Sequence, residues 1–389
     1  MNRSLLVVVG EASGDRAAAE VLAELRDVPT FGVGGPACAA AGLRRVAELS
    51  MGSAGLFAVG RSLGQVARAL AALVSEARRA RPSAALLVDY TEFNMLLAPR
   101  LRAIGTKVLW YVAPQVWAWR PSRLVSLPER VDALAVILPF EERLWREAGV
   151  DAEYVGHPVA AAPLRARAEI RAELGVFGKP VALLPGSRPS EVAHLLEPLL
   201  DAAVRLRRDD PSVDPRLVLA ATLERPLRAD AVAKAAAVGI RAVDAPPEGA
   251  LGLLPAFDAA LCASGTACLE AALAGAPPVV TYRTDRLTAL VVGAALRTPF
   301  VGLPNVLLGR PAYPEVLQHA VTGPRLAAEL RKVLERRARF EDAARELRAC
   351  LGRRNPRSRI AQRLRAWIDP SAPPPHPPND RASTTSSSR

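Results

Sequence analysis

The chain has 389 residues, half of them hydrophobic, and a formal net charge of +12 at pH 7. This length exceeds one ordinary core and predicts two domains of average size. The apolar runs, such as Leu5–Val9 and Leu290–Leu296, are well short of the roughly 18 residues that a membrane-spanning helix needs. Gly10 follows the first run too soon for a signal peptide, so we expect a first core strand there.

The basic charge is compatible with nucleic acid, an anionic membrane surface or a polyanionic substrate. The sequence has no zinc-finger spacing, no RNA-binding aromatic motif and no lysine-rich arm, so we expect no nucleic-acid partner. The excess charge is mostly Arg, spread along the whole chain. The four cysteines form no CxxC pair, which indicates packing residues in a reducing compartment.

Short apolar runs alternate with amphipathic segments along the chain. The predicted strands are Leu5–Val9, Ala84–Val88, Lys107–Val112, Ala133–Leu138, Pro180–Leu184, Arg216–Ala220, Ala259–Cys262 and Pro278–Thr281. The predicted helices are Asp15–Arg26, Leu63–Ala80, Phe93–Ala103, Glu141–Ala148, Arg165–Leu174, Glu191–Arg208, Thr266–Leu273, Arg325–Leu351 and Arg357–Ile368. This alternation predicts an α/β fold of two doubly wound, Rossmann-like domains with an interdomain cleft.

The alternation breaks near Gly156-His157-Pro158, where we place an interdomain linker. We expect an N-terminal domain over residues 1–158 and a second domain over 159–340. Residues 341–369 are predicted to form Arg/Glu-rich helices that pack back on the surface of a domain. The N-terminal domain is the candidate. Residues 370–389 hold Pro, Ser and Thr without aromatics and are predicted to be disordered.

Polar clusters follow the predicted strands in both halves of the chain. They are Glu11–Asp15, Asp89–Asn94, Pro114–Trp119, Gly186–Arg188 and Ser264–Thr266. In open parallel sheets, ligands bind at the carboxyl ends of the strands. Since both halves contribute clusters, we expect the binding site to lie between the two domains.

The turn Ser264-Gly265-Thr266 opens a helix whose free N–H groups and dipole suit a phosphate. Glu270 lies one turn further on, where a carboxylate can accept hydrogen bonds from two ribose hydroxyls. The alternative is an ordinary N-cap followed by a surface Glu.

A matching turn, Gly186-Ser187, precedes Arg188 and Glu191 in the same half. Arg188 can bind a diphosphate through two parallel hydrogen bonds. The alternative interpretation is that Arg188 only forms a surface ion pair with Glu191. The two turns together predict a phosphorylated, ribose-bearing ligand.

Asp89 ends a buried strand and is a candidate general base. Its alternative is an N-cap for the helix Phe93–Ala103, with Glu92 completing a capping box. Gly10–Asp15 lacks GxGxxG, so a nicotinamide cofactor is not indicated, and Asp15 is also a candidate helix cap. We expect no cofactor and no metal. His157 is interpreted as structural, with a cleft-facing position as its alternative.

The segment Leu56–Arg81 is amphipathic and basic. Its apolar residues recur at helical spacing, which is typical of a helix packed on its own sheet. The alternative is a membrane-surface patch that attracts anionic lipid, and Thr284–Leu303 has a similar composition.

These motifs together resemble the lipid-A-disaccharide synthases, which are GT-B glycosyltransferases with two domains. The resemblance spans nearly the whole chain. It rests on Gly10–Asp15, Phe31–Pro36, Met51-Gly52, Ala113–Arg120, Leu138–Glu141, Gly156-His157, Leu184–Arg188 with Glu191, Ser264–Thr266 with Glu270, Tyr282-Arg283 and Leu303–Asn305.

The resemblance implies that 2,3-diacylglucosamine passes from UDP to the 6-hydroxyl of 2,3-diacylglucosamine 1-phosphate, with inversion, giving a β-1,6-linked disaccharide 1-phosphate and UDP. It implies that Asp89 is the base and that Arg188 binds the diphosphate. Further expected substrate-binding residues are Ser13, Gly14, Asp15, Asn94, Gln115, Trp117, Trp119, Arg120, Gly186, Ser187, Glu191, Ser264, Gly265, Thr266, Glu270, Tyr282, Arg283 and Asn305. The expected location is cytoplasmic, peripherally associated with the anionic surface of the inner membrane; the oligomeric state stays open.

This chain departs from the family where Asp89-Tyr90-Thr91-Glu92-Phe93-Asn94 replaces the common Asp-x-Pro-Asp-Phe-Asn, which leaves the role of Glu92 open. Two rival functions remain: a UDP-sugar 2-epimerase of the same fold, and a non-catalytic, basic membrane-binding protein. The fold by itself does not distinguish these functions from that of a lipid-A-disaccharide synthase.

Overall fold

The computed structural model describes residues 2–47, 59–118, 122–246, 249–285 and 298–371. They form two α/β units, each built on a parallel sheet, as the sequence predicts. The predicted Trp119, Arg120 and Leu290–Leu296, the start of Leu56–Arg81 and the tail beyond residue 371 lie outside the described residues.

The first sheet has seven strands in the order β3-β2-β1-β4-β5-β6-β7. The strands are β1 (Asn2–Val9), β2 (Thr30–Val33), β3 (Arg44–Arg45), β4 (Pro82–Val88), β5 (Lys107–Tyr111), β6 (Ala133–Val136) and β7 (Ala152–Tyr154). The order reverses between β1 and β4, which pair in parallel with Val9 opposite Val88. This reversal is the position at which such sheets bind ligands.

Helices cover both faces of the first sheet. They are α1 (Ala12–Ala23), α2 (Pro36–Ala40), α3 (Val59–Ala80), α4 (Thr91–Arg102), α5 (Arg123–Ser126) and α6 (Pro139–Glu147). Leu6, Val8 and Leu87 face one core, shared with α3 and α4, while Leu5 and Val7 face a second core, shared with α1. Burial on both faces explains why these strands are apolar throughout.

The second sheet has six strands in the order β10-β9-β8-β11-β12-β13. They are β8 (Lys179–Leu184), β9 (Val213–Leu219), β10 (Arg241–Asp244), β11 (Ala259–Ala263), β12 (Pro278–Tyr282) and β13 (Glu315–Leu317). The order reverses between β8 and β11, where Leu184 lies opposite Cys262. Each sheet therefore has one switch point, and Asp89, Arg188 and Ser264 follow strands that flank these points.

The remaining helices follow β7 in the chain, and all of them except the last connect or cover the strands of the second sheet. They are α7 (Pro158–Ala161), α8 (Arg167–Leu174), α9 (Pro189–Asp209), α10 (Arg225–Ala237), α11 (Thr266–Ala274), α12 (Leu303–Leu308), α13 (Gly323–Glu335), α14 (Arg337–Leu351) and α15 (Pro356–Ile368). The single helix predicted over Arg325–Leu351 is wrong, because α13 ends before Arg336 and α14 begins after it.

The last helix, α15, lies on the first domain. It contacts α1, β1 and β4, and its buried residues Ile360, Leu364 and Ile368 complete the core on that face. The chain therefore crosses between the domains twice, near Gly156 and near Arg354. The two crossings touch, since Tyr154 Oη donates to the carbonyl of Leu351 at 2.6 Å and Arg354 donates to the carbonyl of Tyr154 at 2.6 Å.

His157 lies at the first crossing and is buried. Its Nδ1 accepts a hydrogen bond from the backbone N–H of Val159 at 3.2 Å, so it caps α7. Burial lowers its pKa to about 4, and the ring is neutral at physiological pH. This supports the structural interpretation of His157 over the cleft-facing one.

Candidate functional site

Two carboxylates follow the strands at the switch point of the first sheet. Glu11 comes two residues after β1, and Asp89 comes directly after β4, whose last residue pairs with the last residue of β1. Asp89 is partly buried. Its pKa is raised to about 6, by burial first and then by the charge of Glu11, while the Arg188 guanidinium opposes the shift. A carboxyl group with this pKa is suited to take up a proton near neutral pH.

The backbone at Asp89 is strained. Asp89 and Tyr90 both have positive φ, +52° and +42°, a left-handed conformation that costs non-glycine residues free energy. The Tyr90 ring stacks on Phe93 with centroids 5.3 Å apart. It also lies so close to Gly10 that a Cβ there would come within 2.2 Å of the ring. Gly10 is therefore needed to seat the turn that presents Asp89.

Asn94 supports the same turn from α4. Its side-chain amide donates to the carbonyl of Asp89 at 2.7 Å, and the residue is fully buried. Asn94 therefore supports the Asp89 backbone, and its predicted contact with substrate stays a prediction. The predicted capping box is also wrong, because the N-cap of α4 is Tyr90 and the Glu92 side chain pairs with Arg123.

The turn after β8 is built around Glu191. Its Oε2 accepts hydrogen bonds from the backbone N–H groups of Ser187 at 3.0 Å and Arg188 at 3.3 Å. Gly186 has φ of +108°, and a Cβ there would lie 2.2 Å from that oxygen. The carboxylate of Glu191 is thus occupied in shaping the turn, while Ser187 is exposed at its tip.

Arg188 reaches across the gap between the domains. Its guanidinium lies 3.2 Å from Glu11 Oε1 and 3.8 Å from Glu191 Oε1, so its predicted pairing with Glu191 is only one of two ion pairs. The side chain remains 54% exposed. Partial burial lowers its pKa, but the carboxylates of Glu11, Glu191 and Asp89 outweigh that effect and raise it. The structure thus brings Glu11, Asp89 and Arg188 together from three strand ends.

The second turn of this domain follows β11. Gly265, with φ of +148°, is the N-cap of α11, and Thr266 begins the helix exposed to solvent. Ser264 is tied back, because its Oγ donates to the carbonyl of Val301 at 2.9 Å. Glu270 lies one turn into α11 and is only 9% exposed, so it is not the surface Glu of the alternative interpretation. Burial raises its pKa to about 7, opposed by the charge of Arg16 and a hydrogen bond from Ala250.

Tyr282 and Arg283 end β12 on the same side. Tyr282 is partly buried, and its pKa is raised by burial first and then by the charge of Glu191, with Arg188 opposing. Its ring therefore lies near the Arg188 turn, while Arg283 is exposed.

Trp117 stands at the carboxyl end of β5. Its indole N–H donates to Glu141 Oε1 at 3.0 Å, and its ring meets Phe140 edge-on at 5.3 Å. Glu141 is fully buried and also accepts the backbone N–H of Leu138 at 3.2 Å. Burial raises its pKa to about 7. These contacts fix the orientation of Trp117, and Gln115 is exposed beside it.

Three residues that are predicted to touch substrate make contacts inside the protein. The carboxylate of Asp15 accepts the backbone N–H groups of Gly35, Ala37 and Cys38, at 2.7, 2.8 and 3.2 Å, and so caps α2 rather than α1. The helix α1 begins at Ala12, three residues earlier than predicted, which places Asp15 inside it.

Asn305 is the second of these residues. Its side-chain amide donates to the carbonyl of Tyr313 and to Glu315 Oε1, both at 2.8 Å, and its Oδ1 accepts the N–H of Tyr313. Gly14 is the third, because a Cβ there would lie 3.1 Å from Val9 and 3.2 Å from Val88. Gly14 therefore permits close packing of α1 on the sheet. Ser13, by contrast, is exposed.

Sequence reasoning missed three residues of this site. Glu11 was part of a noted cluster, and its position after a buried strand was the available signal. Glu141 and Arg16 carried no comparable local signal, because Trp117 lies 24 positions from Glu141 and Glu270 lies in the other domain.

The comparisons agree with this architecture. A family model described as "Lipid-A-disaccharide synthetase" matches residues 5–364. A lipid-A-disaccharide synthase of Anaeromyxobacter dehalogenans is 40% identical over 371 residues, which cover 92% of this chain and 96% of that relative.

Solved structures resemble the whole chain at lower identity. A putative UDP-N-acetylglucosamine 2-epimerase from Listeria monocytogenes has a TM-score of 0.62 at 13% identity, covering 97% of this chain and 99% of that one. The calicheamicin glycosyltransferase CalG4 has a TM-score of 0.57 at 14% identity, covering 96% and 100%. At such identities the likeness shows the fold alone, which is the GT-B arrangement of two parallel-sheet α/β domains.

Proposed function

The chain belongs to the lipid-A-disaccharide synthase family, and on that premise we propose that it transfers 2,3-diacylglucosamine from UDP to the 6-hydroxyl of 2,3-diacylglucosamine 1-phosphate. The products are the β-1,6-linked disaccharide 1-phosphate and UDP. The observation that carries the proposal is the meeting of Asp89, Glu11 and Arg188 across the gap between the domains. It puts a candidate base from one domain beside a candidate diphosphate-binding cation from the other.

Asp89 acts as the general base. With a pKa of about 6 it is largely ionised at neutral pH and can take the proton of the acceptor's 6-hydroxyl. The oxygen then attacks the anomeric carbon from the face opposite the diphosphate, so the new C–O bond forms as the bond to the diphosphate breaks. The electron pair leaves with UDP, and the configuration at the anomeric carbon is inverted.

Arg188 stabilises the leaving group. Charge grows on the diphosphate as its bond to the sugar breaks, and a fixed guanidinium placed there lowers the barrier. The exposed start of α11 at Thr266 supplies backbone N–H groups for the same anion. Glu270, one turn further on, is the proposed acceptor for the ribose hydroxyls, and the Tyr282 ring borders this side.

The acceptor is proposed to bind on the first domain. Trp117, held by Glu141 and Phe140, offers a flat apolar surface of the kind on which a sugar ring stacks. Gln115 and Ser13 are exposed nearby on the ends of their elements. Trp119 and Arg120, which lie outside the described residues, stay substrate-binding residues predicted from the sequence.

We also propose peripheral association with the anionic, cytoplasmic face of the inner membrane, since both substrates carry acyl chains. None of the described helices has the length and apolar character needed to cross a membrane. In α3, Val66, Leu70 and Leu73 pack on their own sheet, which favours the packing interpretation of that helix. The neighbouring α4 and α5 are better candidates, because Leu96 is 47% exposed and Val125 is 81% exposed.

UDP release tests the proposal directly. The purified full-length protein is incubated with UDP-2,3-diacylglucosamine in detergent micelles, with and without 2,3-diacylglucosamine 1-phosphate. We expect UDP and a disaccharide product only when the acceptor is present. Release or isomerisation of a UDP-sugar without any lipid acceptor would instead favour the 2-epimerase, and UDP binding without turnover on any lipid would favour the non-catalytic protein.

A further inference from the structure

The start of α1 lies against the nucleotide-binding side of the second domain at two places. Glu11 pairs with Arg188, as described above. Arg16, one turn further along α1, lies beside Glu270: a Cβ on Gly249 would be 3.3 Å from Glu270 Oε1 and 3.8 Å from Arg16 Nη2. The guanidinium of one domain and the carboxylate of the other therefore flank the same point of the backbone.

The direction of Arg16 follows from the other faces of α1. Gly14 packs on Val9 and Val88 of the sheet, and Asp15 caps α2. Residues three apart share a helix face, so Arg16 lies on the face of the exposed Ser13. The face of α1 that carries Ser13 and Arg16 is therefore the one that can contact the second domain.

Among the described residues of its own domain, Glu270 has little support for its charge. The carboxylate is 9% exposed and accepts a hydrogen bond from the backbone of Ala250. The Cys262 thiol of β11 lies near enough to be affected by it: burial first, then Cys268 and Glu270, raise the pKa of that thiol, so it stays protonated. Within the described parts of the chain, Arg16 is the cation that acts on Glu270. Because the site is largely shielded from water, charge–charge interaction there is stronger than at an open surface.

We propose that Arg16 is a nucleotide-positioning residue, which supplies from the first domain the positive charge that Glu270 needs to bind the ribose hydroxyls of a UDP-sugar. This inference rests on the proposed function and adds a residue to its donor site. An ionised carboxylate accepts hydrogen bonds from two hydroxyls, whereas a protonated one gives up part of that capacity. Because the cation and the carboxylate belong to different domains, nucleotide binding is coupled to the approach of the two domains.

A double-mutant cycle on UDP affinity tests the inference. UDP is titrated calorimetrically into the full-length wild-type protein, Arg16→Gln, Glu270→Gln and the double variant. We expect Arg16→Gln to weaken UDP binding about tenfold when Glu270 is present, and less than about twofold when Gln stands at 270. Arg16→Lys, which keeps the charge, should restore most of the affinity. Arg26→Gln, at an exposed arginine just beyond the far end of α1, is the matched control and should bind as the wild type does.

The pH dependence of UDP binding is the readout that a merely structural role would not move. In the wild type we expect affinity to fall as the pH drops below about 7, where Glu270 becomes protonated. Arg16→Gln should move that fall to higher pH, and the KM for the lipid acceptor should not change. The inference would be overturned if Arg16→Gln lowered UDP affinity equally with Glu and with Gln at position 270. It would also be overturned if Arg16→Gln bound UDP as tightly as the wild type. A wild-type protein that binds no UDP would overturn the proposed function as well, which separates the two failures.

Discussion

The Arg188 guanidinium lies 3.2 Å from the Glu11 carboxylate, although the two residues are 177 positions apart and belong to different domains. A diphosphate that binds Arg188 must therefore share the guanidinium with Glu11 or displace it. The same contact sets the environment of Asp89, since Glu11 raises the pKa of that carboxyl group and Arg188 lowers it. The pair thus links the proposed donor site to the proposed base.

Asp89→Asn is expected to lower kcat by roughly 100-fold or more, because the variant cannot accept the proton of the attacking hydroxyl. UDP affinity should stay within about twofold of the wild type, since the amide keeps the shape of the side chain. Both are measured by steady-state UDP release and UDP titration. Asp230→Asn, at an exposed ion pair with Lys234, is the control. Near-normal turnover in Asp89→Asn would show that Asp89 is not the base.

The pH–rate profile should fall on its acidic side near pH 6. Asp89 must be ionised to act as a base, and its pKa is raised to about 6, so kcat/KM for the acceptor, measured at saturating donor, decreases as the pH drops through that value. Glu11→Gln removes the negative charge that contributes to the shift, and the acidic limb should then move to lower pH. A limb that stays in place in Glu11→Gln would contradict the electrostatic link between these two residues.

The same pKa predicts an effect on stability. The pKa of Asp89 is about 6 in the folded protein against 3.8 for the free group. Proton binding by Asp89 therefore stabilises the folded protein. This stabilisation is fully present below pH 3.8 and is lost as the pH rises through 6. Asp89→Asn does not titrate and should exceed the wild type by about 2 kcal/mol at pH 8, with no such gain at pH 4. Denaturant unfolding at both pH values measures the difference. An advantage that is the same at both would point to packing instead.

Arg188→Ala should weaken UDP binding and lower kcat together, because the guanidinium contacts the diphosphate both before and during bond breaking. We expect a loss of roughly 100-fold or more in kcat/KM for the donor. Arg188→Lys should recover only part of it, since an ammonium cannot form two parallel hydrogen bonds. Arg205→Ala, on the helix α9 that follows Arg188 but paired with Asp201 at the surface, should behave like the wild type. Loss of kcat alone would place Arg188 away from the ground-state diphosphate.

Val125→Glu tests the proposed membrane-facing surface. An 81% exposed valine contributes little to folding, but a carboxylate there would oppose insertion into lipid and be repelled by an anionic surface. We expect weaker flotation with anionic phosphatidylglycerol vesicles and unchanged UDP affinity. Val238→Glu, at an exposed valine of the second domain, is the matched control. Equal flotation of both variants would remove α5 from the membrane surface.

The eight predicted strands are confirmed, because each is an apolar run buried on both faces of a sheet. The missed strands are short and lie toward the sheet edges, such as Arg44–Arg45 and Arg241–Asp244, whose residues are largely exposed. Edge strands carry no continuous apolar pattern, so their sequences resemble loops. The break between the helices α13 and α14 at Arg336 was also missed, because no glycine or proline lies there to indicate it.

The site could be predicted only where a residue follows a core strand. Asp89, Arg188 and the turn at Gly265 were predicted in this way, and the structure places Asp89 and Arg188 close to each other. Asp15 and Asn305 stand in equally suggestive motifs, yet their side chains are used by α2 and by Tyr313. No local pattern distinguishes a carboxylate that faces a ligand from one that caps a helix 20 residues away.

The position of α15 has a consequence for the order of folding. Residues 356–368 close one face of the sheet that begins at residue 2, so the first core to be synthesised is the last to be completed. The second domain has all of its strands and its covering helices by residue 351. On the ribosome, the later domain can thus reach its native packing while the earlier one still exposes Leu5, Val7 and Leu86.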